Sequence, residues 1–384
     1  MPYTIAIDMR YVENFFSGLS RFSINIFLNL IKNSINDDLY FIVLLPPKNI
    51  SKDLNIFNDL DLKNIKIIYA KNKRGIKWKI PFFIFELGLY LKLRKEKVDI
   101  FLSPYIDPPI LPGIKVICTI HDLIFIKVKN YFNNLRILKR LVSEFRILLT
   151  LFCSDILLTV SESTKSHLIK RYQNLPFIQK KLKYITVIYN GVTEFKPSKK
   201  ILKNKSYSLQ KEYLLYVGDR RQHKNLFYTI ELIKNYNKQY NKKYNLIVAG
   251  SVSYRNFKLY KFIKSNPFVI EIINPDDELL DQLYKNCIAL VLLSFEEGFG
   301  IPIIEAASRS KKIVLSNIKV FKEIAPKNSL LLDLNKENQH VKLLHDYLNK
   351  DVKVDSKYIL KKWSWDKSSL KLRKLLLSEL RNYY

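Results

Sequence analysis

Two stretches of this chain concentrate side chains that could do chemistry. In "SFEEGFGIPIIEAAS", residues 294–308, Glu297 and Glu305 stand eight positions apart across a segment carrying Gly298, Phe299, Gly300 and Pro302. An apolar run, "VLLS", feeds into the glycines, and Pro302 suits the first turn of a following helix, where its missing N–H costs little. Amides near residues 298–300 would then point out of a helix start, a natural seat for a diphosphate. Ionised carboxylates only accept hydrogen bonds, so Glu297 and Glu305 suit the hydroxyl pairs of a sugar or ribose and suit phosphate badly. Taken alone, the two are equally a helical glutamate and a loop charge facing solvent.

The second stretch is "YLLYVGDRRQHKNL", where a strand pattern ends at Gly218 and a helix pattern opens near Asn225. Arg220, Arg221, His223 and Lys224 crowd that turn. Cations beside a helix start neutralise a diphosphate and the charge it gains as a leaving group. A solvated basic turn in a basic protein would look the same. In the first half, "TIHDL" puts His121 at a strand end, placed to hydrogen-bond a hydroxyl or to pack structurally. In "SGLSRF", Gly18 lets backbone approach an anion at the next helix start.

Such side chains need strand ends to hold them. "YTIAID", "YFIVLL", "IKIIYA", "VDIFLS" and "KVICTI" read as short buried strands, with helical spacing between them in "GLSRFSINIFLNLIKN" and "FELGLYLKLRKEK". "RILKRLVSEFRILLTLFCSD" reads as a long helix, "ILLTVS" as a strand, "ESTKSHLIKRY" as a helix capped by Ser161, and "ITVIYNGV" as a strand closing on Asn190-Gly191. The polar, Lys-rich "TEFKPSKKILKNKSYSLQKEY" is the linker candidate, with a boundary near 195–210. Beyond it "YLLYVG", "KYNLIVAG", "FVIEII", "IALVLLS" and "KIVLS" restart the alternation. The reading is α/β: two parallel-sheet domains with a ligand cleft between their strand C-termini.

Composition narrows the classes. With 384 residues, 48% of them hydrophobic, the chain can fill two cores. Cys118, Cys153 and Cys287 stand singly in apolar runs, which argues for reduced thiols and against zinc. No signal-peptide pattern opens the chain and no run of about 18 apolar residues crosses it, so a cytoplasmic protein is expected. Sixty-five Lys and Arg against 35 Asp and Glu give a net charge of +30, a field for nucleic acid, anionic lipid or phosphorylated ligands. The basic residues are spread along the chain without a nucleic-acid motif, which disfavours an RNA- or DNA-binding protein. Residues 71–97 interleave Lys and Arg with aromatics and could lie on an anionic membrane.

In order along the chain, "IAIDMR…SGLSRF", "FLSPYIDPPILPGIKVICTIHDLIF", "DILLTVSESTKSHLI", "VIYNGV", "YVGDRRQHKNL", "FEEGFGIPIIEA" and "WSW" resemble family 4 retaining glycosyltransferases of the GT-B fold, many of them bacterial mannosyltransferases of surface polysaccharide assembly. The resemblance covers nearly the whole chain, and its most specific element is the Glu297–Glu305 spacing. It implies two Rossmann-like domains facing across a cleft. Residues 1–195 would bind the acceptor, 196–366 the nucleotide-sugar, and 367–384 would form a C-terminal helix returning to the first domain. Glu297 and His121 would contact the reacting sugar, and Glu305 the ribose. Gly298, Phe299 and Gly300 would hold the sugar and diphosphate, with Lys224 and either Arg221 or Arg220 on the diphosphate and Gly18 near it. No metal or cofactor is implied. The expected donor is GDP-mannose, with UDP-sugars second, and the acceptor a saccharide, free or lipid-linked, at the cytoplasmic face of the inner membrane. A GT-B epimerase is the alternative enzyme. One departure stands out: Ser310, Lys311 and Lys312 follow the Glu305 helix where the family usually has Gly and a small-Pro pair.

Overall fold

The computed structural model describes residues 2–12, 17–48, 57, 63–70, 87–106, 108–127, 136–193, 212–252 and 257–381. The linker candidate at 195–210, and residues 71–86 of the basic aromatic stretch, lie outside them. The chain divides into two compact units. One comprises residues 1–126, 134–191 and 364–384; the other comprises 127–133 and 192–363.

The first unit holds seven strands: β1 (Tyr3–Asp8), β2 (Leu39–Leu45), β3 (Ile65–Tyr69), β4 (Ile100–Ser103), β5 (Lys115–Ile120), β6 (Ile156–Thr159) and β7 (Thr186–Val187). Their order is 3-2-1-4-5-6-7 and every pairing is parallel. Parallel strands require crossovers, and helices such as Gly18–Asn33, Arg136–Cys153 and Glu162–Tyr172 supply them. Because both faces are covered, β1, β4, β5 and β6 are buried almost throughout, which is why they read as unbroken apolar runs. Ser161 caps its helix as expected, its hydroxyl accepting from the Thr164 N–H at 3.0 Å.

One reading shortens and one helix is new. "ITVIYNGV" gives only the two residues of β7, because β7 pairs on one side with β6 and the chain then turns away. A helix at Pro176–Lys183, too short for periodicity to reveal, precedes it. The C-terminal helix Trp365–Arg381 belongs to this unit and lies against Gly18–Asn33, with Arg373 paired to Asp37 and Asn33 donating to Ser369 Oγ at 2.9 Å.

The second unit repeats the design with β8 (Tyr213–Val217), β9 (Asn245–Gly250), β10 (Val269–Ile273), β11 (Ala289–Leu292), β12 (Lys312–Ser316) and β13 (Leu330–Leu332). The order 10-9-8-11-12-13 is again parallel throughout. Strand order reverses between β8 and β11, so the loops leaving their carboxyl ends diverge and open a crevice there. "YLLYVGDRRQHKNL" leaves β8 and "SFEEGFGIPIIEAAS" leaves β11, so the reversal puts both candidate stretches at one crevice.

Two backbone positions explain local choices. A Cβ on Gly191 would sit 2.3 Å from the Trp365 backbone nitrogen, so only glycine fits beside the C-terminal helix. Ser310 adopts φ +57°, with its N–H donating to the Ala307 carbonyl and the Lys311 N–H to Ala306. That is the left-handed helix stop where glycine is usual. Ser310→Gly should therefore raise stability by about 1 kcal/mol, whereas Gly191→Ala should cost about 1–3 kcal/mol. Urea melts of the two variants check both signs.

Candidate active site

At the end of β8 the chain must pass close to β9. A Cβ on Gly250 (φ +133°) would lie 2.5 Å from the Gly218 carbonyl oxygen, so the end of β9 uses glycine. Arg220 closes this end of the sheet. Its side chain is 3% exposed and donates to the carbonyls of Val248 (2.9 Å), Gly218 (3.1 Å) and Ser251 (3.2 Å), with Glu271 of β10 at 3.5 Å. The buried guanidinium thus ties the carboxyl end of β8 to β9 and the residue after it. Arg221 turns the other way, about half exposed, and pairs with Asp219. Burial pushes the Asp219 carboxyl up, but Arg221 and Lys224 outweigh it and hold the group below the usual carboxylate range. Of the two arginines, Arg221 is the one in solvent reach of an anion.

Lys224 ends a single helical turn, Gln222–Lys224, and the left-handed Asn225 (φ +54°) starts the helix Leu226–Gln239. The Phe295 N–H donates to the His223 carbonyl at 2.8 Å, stitching the β8 loop to the β11 loop. Across that stitch Lys224 Nζ donates to Glu297 Oε1 at 2.7 Å. Ser294, fully buried, donates through Oγ to the same oxygen at 2.7 Å. Glu297 is 9% exposed, so these donors replace the water its carboxylate has lost. Among the described residues no hydrogen bond reaches Oε2, which is left to accept from a ligand hydroxyl. Lys224 has three N–H donors and can keep Glu297 while adding a phosphate.

Gly300 takes φ +110°, and a Cβ there would meet Ile303 Cδ1 at 2.9 Å. The turn it makes leads into Ile301–Ala307, with Pro302 in the first turn. Phe299 points inward, 4% exposed, edge-on to Trp363 with centroids 5.6 Å apart. Its part in a site is therefore through its backbone. Glu305 is 2% exposed and accepts from the Tyr284 hydroxyl at 2.8 Å, which fixes its carboxylate.

The remaining two candidates lie in the first unit. Gly18 is the first residue of its helix, capped by Ser17, whose Oγ accepts from the Ser20 N–H at 3.0 Å. His121 follows β5. Its Nε2 lies 2.8 Å from the Pro104 carbonyl and must donate, so in the neutral ring Nδ1 is the acceptor. Phe22 stands edge-on to it at 4.9 Å, and burial lowers its pKa to about 4, against the pull of the Pro104 carbonyl.

Two comparisons bear on this geometry. The family described as "Glycosyl transferases group 1" matches residues 198–377, and "Glycosyltransferase Family 4" matches residues 55–194. The chain belongs to the family 4 glycosyltransferases. Its two doubly wound units make the GT-B fold, and its structure resembles sucrose-phosphate synthase from Thermosynechococcus elongatus with a TM-score of 0.69 at 15% identity, over 99% of this chain and 100% of that one. The O-antigen chain mannosyltransferase RfbU of Salmonella typhimurium is 27% identical over 272 residues, 69% of this glycosyltransferase and 68% of RfbU. The serotype-specific mannosyltransferase WbdA of Escherichia coli is 34% identical over 89 residues, 22% of this chain and 11% of WbdA.

Ser294 is the residue of this glycosyltransferase that the sequence reading passed over. The signal was there: a serine at a strand end, three positions before a glutamate that must be held. Ser294→Ala should free Glu297 to rotate and raise the donor KM several-fold more than it lowers kcat, with Ser294→Thr recovering part of the loss. His121 gives a pH test. Its folded pKa lies below the unfolded value near 6.5, so the unfolded chain takes up the proton first as pH falls. Between pH 6.5 and 4 the wild type should lose on the order of 2–3 kcal/mol that His121→Gln keeps, as read by urea melts at several pH values.

Proposed function

We propose that this glycosyltransferase moves a hexose, mannose foremost, from a nucleotide-sugar to a saccharide acceptor carried on a lipid, with retention of anomeric configuration, during O-antigen, capsule or other surface glycan assembly. The observation that carries the reading is the Lys224–Glu297–Ser294 constellation at the β8–β11 strand reversal. A cation for a diphosphate and an accepting carboxylate oxygen for a sugar hydroxyl sit on one hydrogen-bonded unit. The names of RfbU and WbdA support mannose as the sugar and O-antigen as the setting. GDP-mannose is accordingly the first donor to try and UDP-sugars the second.

On this reading residues 1–195 bind the acceptor, residues 196–366 the donor, and 367–384 return to the first unit. As the sugar–phosphate bond breaks, charge grows on the diphosphate and is offset by Lys224 and Arg221. Glu297 Oε2 holds a hydroxyl of the donor sugar, and Glu305, preset by Tyr284, takes the ribose. Backbone of Gly298, Phe299, Gly300 and Gly18 approaches sugar and diphosphate. The neutral His121 accepts a sugar hydroxyl through Nδ1. The leaving phosphate takes the acceptor's proton as the acceptor attacks from the same face, which preserves the configuration. No helix among the described residues is long and apolar enough to cross a membrane. Access to a lipid-linked acceptor then comes from peripheral contact with the cytoplasmic leaflet of the inner membrane.

Thermal-shift titration with GDP, UDP and dTDP, followed by mass-spectrometric assay of the matching nucleotide-sugars, tests this. One nucleotide should raise Tm, and its sugar should be consumed by the wild type. Glu297→Ala and Lys224→Ala should each lower turnover at least about 100-fold. No shift with any nucleotide and an inert sugar panel would falsify the reading.

A further inference from the structure

The helix Arg136–Cys153 carries an apolar stripe that its own core does not cover. Ile147 and Leu151 face inward and are fully buried. On the outer side Ile137 is 78% exposed, Leu138 58%, Leu141 59%, Phe145 46% and Phe152 68%. At 100° per residue these five fall within one arc of about 100°, along about 22 Å of helix. Such an exposed row is not what folding alone would keep on a monomer's surface.

The neighbouring helix extends the patch. Lys181 of Pro176–Lys183 donates through Nζ to the carbonyls of Phe152 (2.7 Å) and Leu151 (3.1 Å), which brings its last turn to the end of the stripe. That helix and the residue after it expose Phe177 at 61% and Tyr184 at 68%. Lys180 and Lys183 lie exposed beside them. Seven of the 20 exposed large hydrophobics of the described residues therefore fall on two adjoining helices. The charge carried by the two helices themselves is one-sided. The first helix has Lys139, Arg140 and Arg146 in addition to its leading Arg136, and its single acid, Glu144, is already paired with Arg171. The second helix has Lys180, Lys181 and Lys183 and no acid.

We propose that this face of the first unit is the surface with which the protein lies on an anionic lipid bilayer, the stripe entering the headgroup boundary and the lysines and arginines meeting lipid phosphates. Exposed apolar and aromatic side chains on helices whose charges are almost all cationic have the chemistry of an interfacial helix. A second copy of the chain fits less well, because a twofold contact would press two like-charged surfaces together. The inference rests on the lipid-linked acceptor reading only for its purpose, and it assigns a membrane contact to residues 137–184.

Vesicle co-sedimentation tests it, without donor or acceptor. Wild-type protein should bind phosphatidylcholine vesicles containing phosphatidylglycerol, and bind pure phosphatidylcholine far more weakly. Leu141→Glu with Phe145→Glu should lower binding to the anionic vesicles at least about tenfold, and Phe257→Glu, an exposed aromatic of the other unit, should leave it unchanged. Lys180→Glu with Lys183→Glu should remove most of the salt-sensitive part. All these positions are exposed, so circular dichroism and Tm should match the wild type. Equal binding by the stripe variant overturns the proposal, and so does a wild-type dimer in light scattering that the stripe variant dissociates. Donor-sugar hydrolysis in vesicle-free buffer is measured in parallel: a stripe variant that hydrolyses normally but no longer binds vesicles supports the surface. An inert wild type that still binds vesicles sinks the transfer reading and leaves the surface standing.

Discussion

A carboxylate that is nine-tenths buried needs protein donors in place of the water it has lost, and this requirement at Glu297 organises the second unit. Its two donors come from different places: Ser294 from the carboxyl end of β11 and Lys224 from the loop after β8. They can meet only because β8 and β11 are neighbours at the reversal of strand order. The β8 loop, in turn, can reach across only if the strand ends beside it are closed. Gly250 permits β9 to approach Gly218, and Arg220 binds the carbonyls that the approach leaves at the sheet's edge. The cation nearest the proposed ligand, Lys224, thus depends on a second cation, Arg220, that never needs to touch the ligand.

That dependence marks what a sequence can and cannot disclose. The strands were legible because a parallel sheet covered on both faces demands short unbroken apolar runs, and "YTIAID", "KVICTI" and "YLLYV" have no other stable use. The Ser161 cap was legible because capping is local. β7 and the helix Pro176–Lys183 were not, since two and eight residues carry too little periodicity. Within the site, residue types and strand ends named Lys224 and Glu297 separately, but 73 positions part them and their shared hydrogen bond is a product of topology. Arg220 and Arg221 were indistinguishable for a related reason. Which of two adjacent side chains turns into the sheet is set by the loop's path past Gly218, and chemistry alone fits either.

The net charge of +30 also divides once it is placed. Some cations serve structure: Arg220 at its strand ends, Arg10 beside the buried Asp8 at 2.7 Å, Lys115 with Glu379 at 2.8 Å. Others, such as Lys180 and Lys183, lie exposed and pair with no acid among the described residues. Composition could give the sum. It could not separate charges that close a fold from charges that face outward.

The "WSW" segment shows the same division at the scale of two residues. Its tryptophans stand two positions apart, yet the chain passes from one unit to the other between them. Trp365 is 6% exposed in the first unit, against Phe22 and over Gly191. Trp363 is 3% exposed in the second, edge-on to Phe299, and its carbonyl accepts the Val192 N–H at 2.9 Å. The long segment of the second unit runs from Val192 to Trp363, so its first and last residues are joined by one backbone hydrogen bond. Phe299 sits between Gly298 and Gly300, and its ring is held by the same tryptophan. Edge-to-face aromatic pairs contribute about 0.5–1.5 kcal/mol beyond the area they bury. A shift of the glycine loop that moved Phe299 would therefore work directly against the residue at which the chain leaves its sheet. The loop assigned to the donor and the connection between units are in this way parts of one packed cluster.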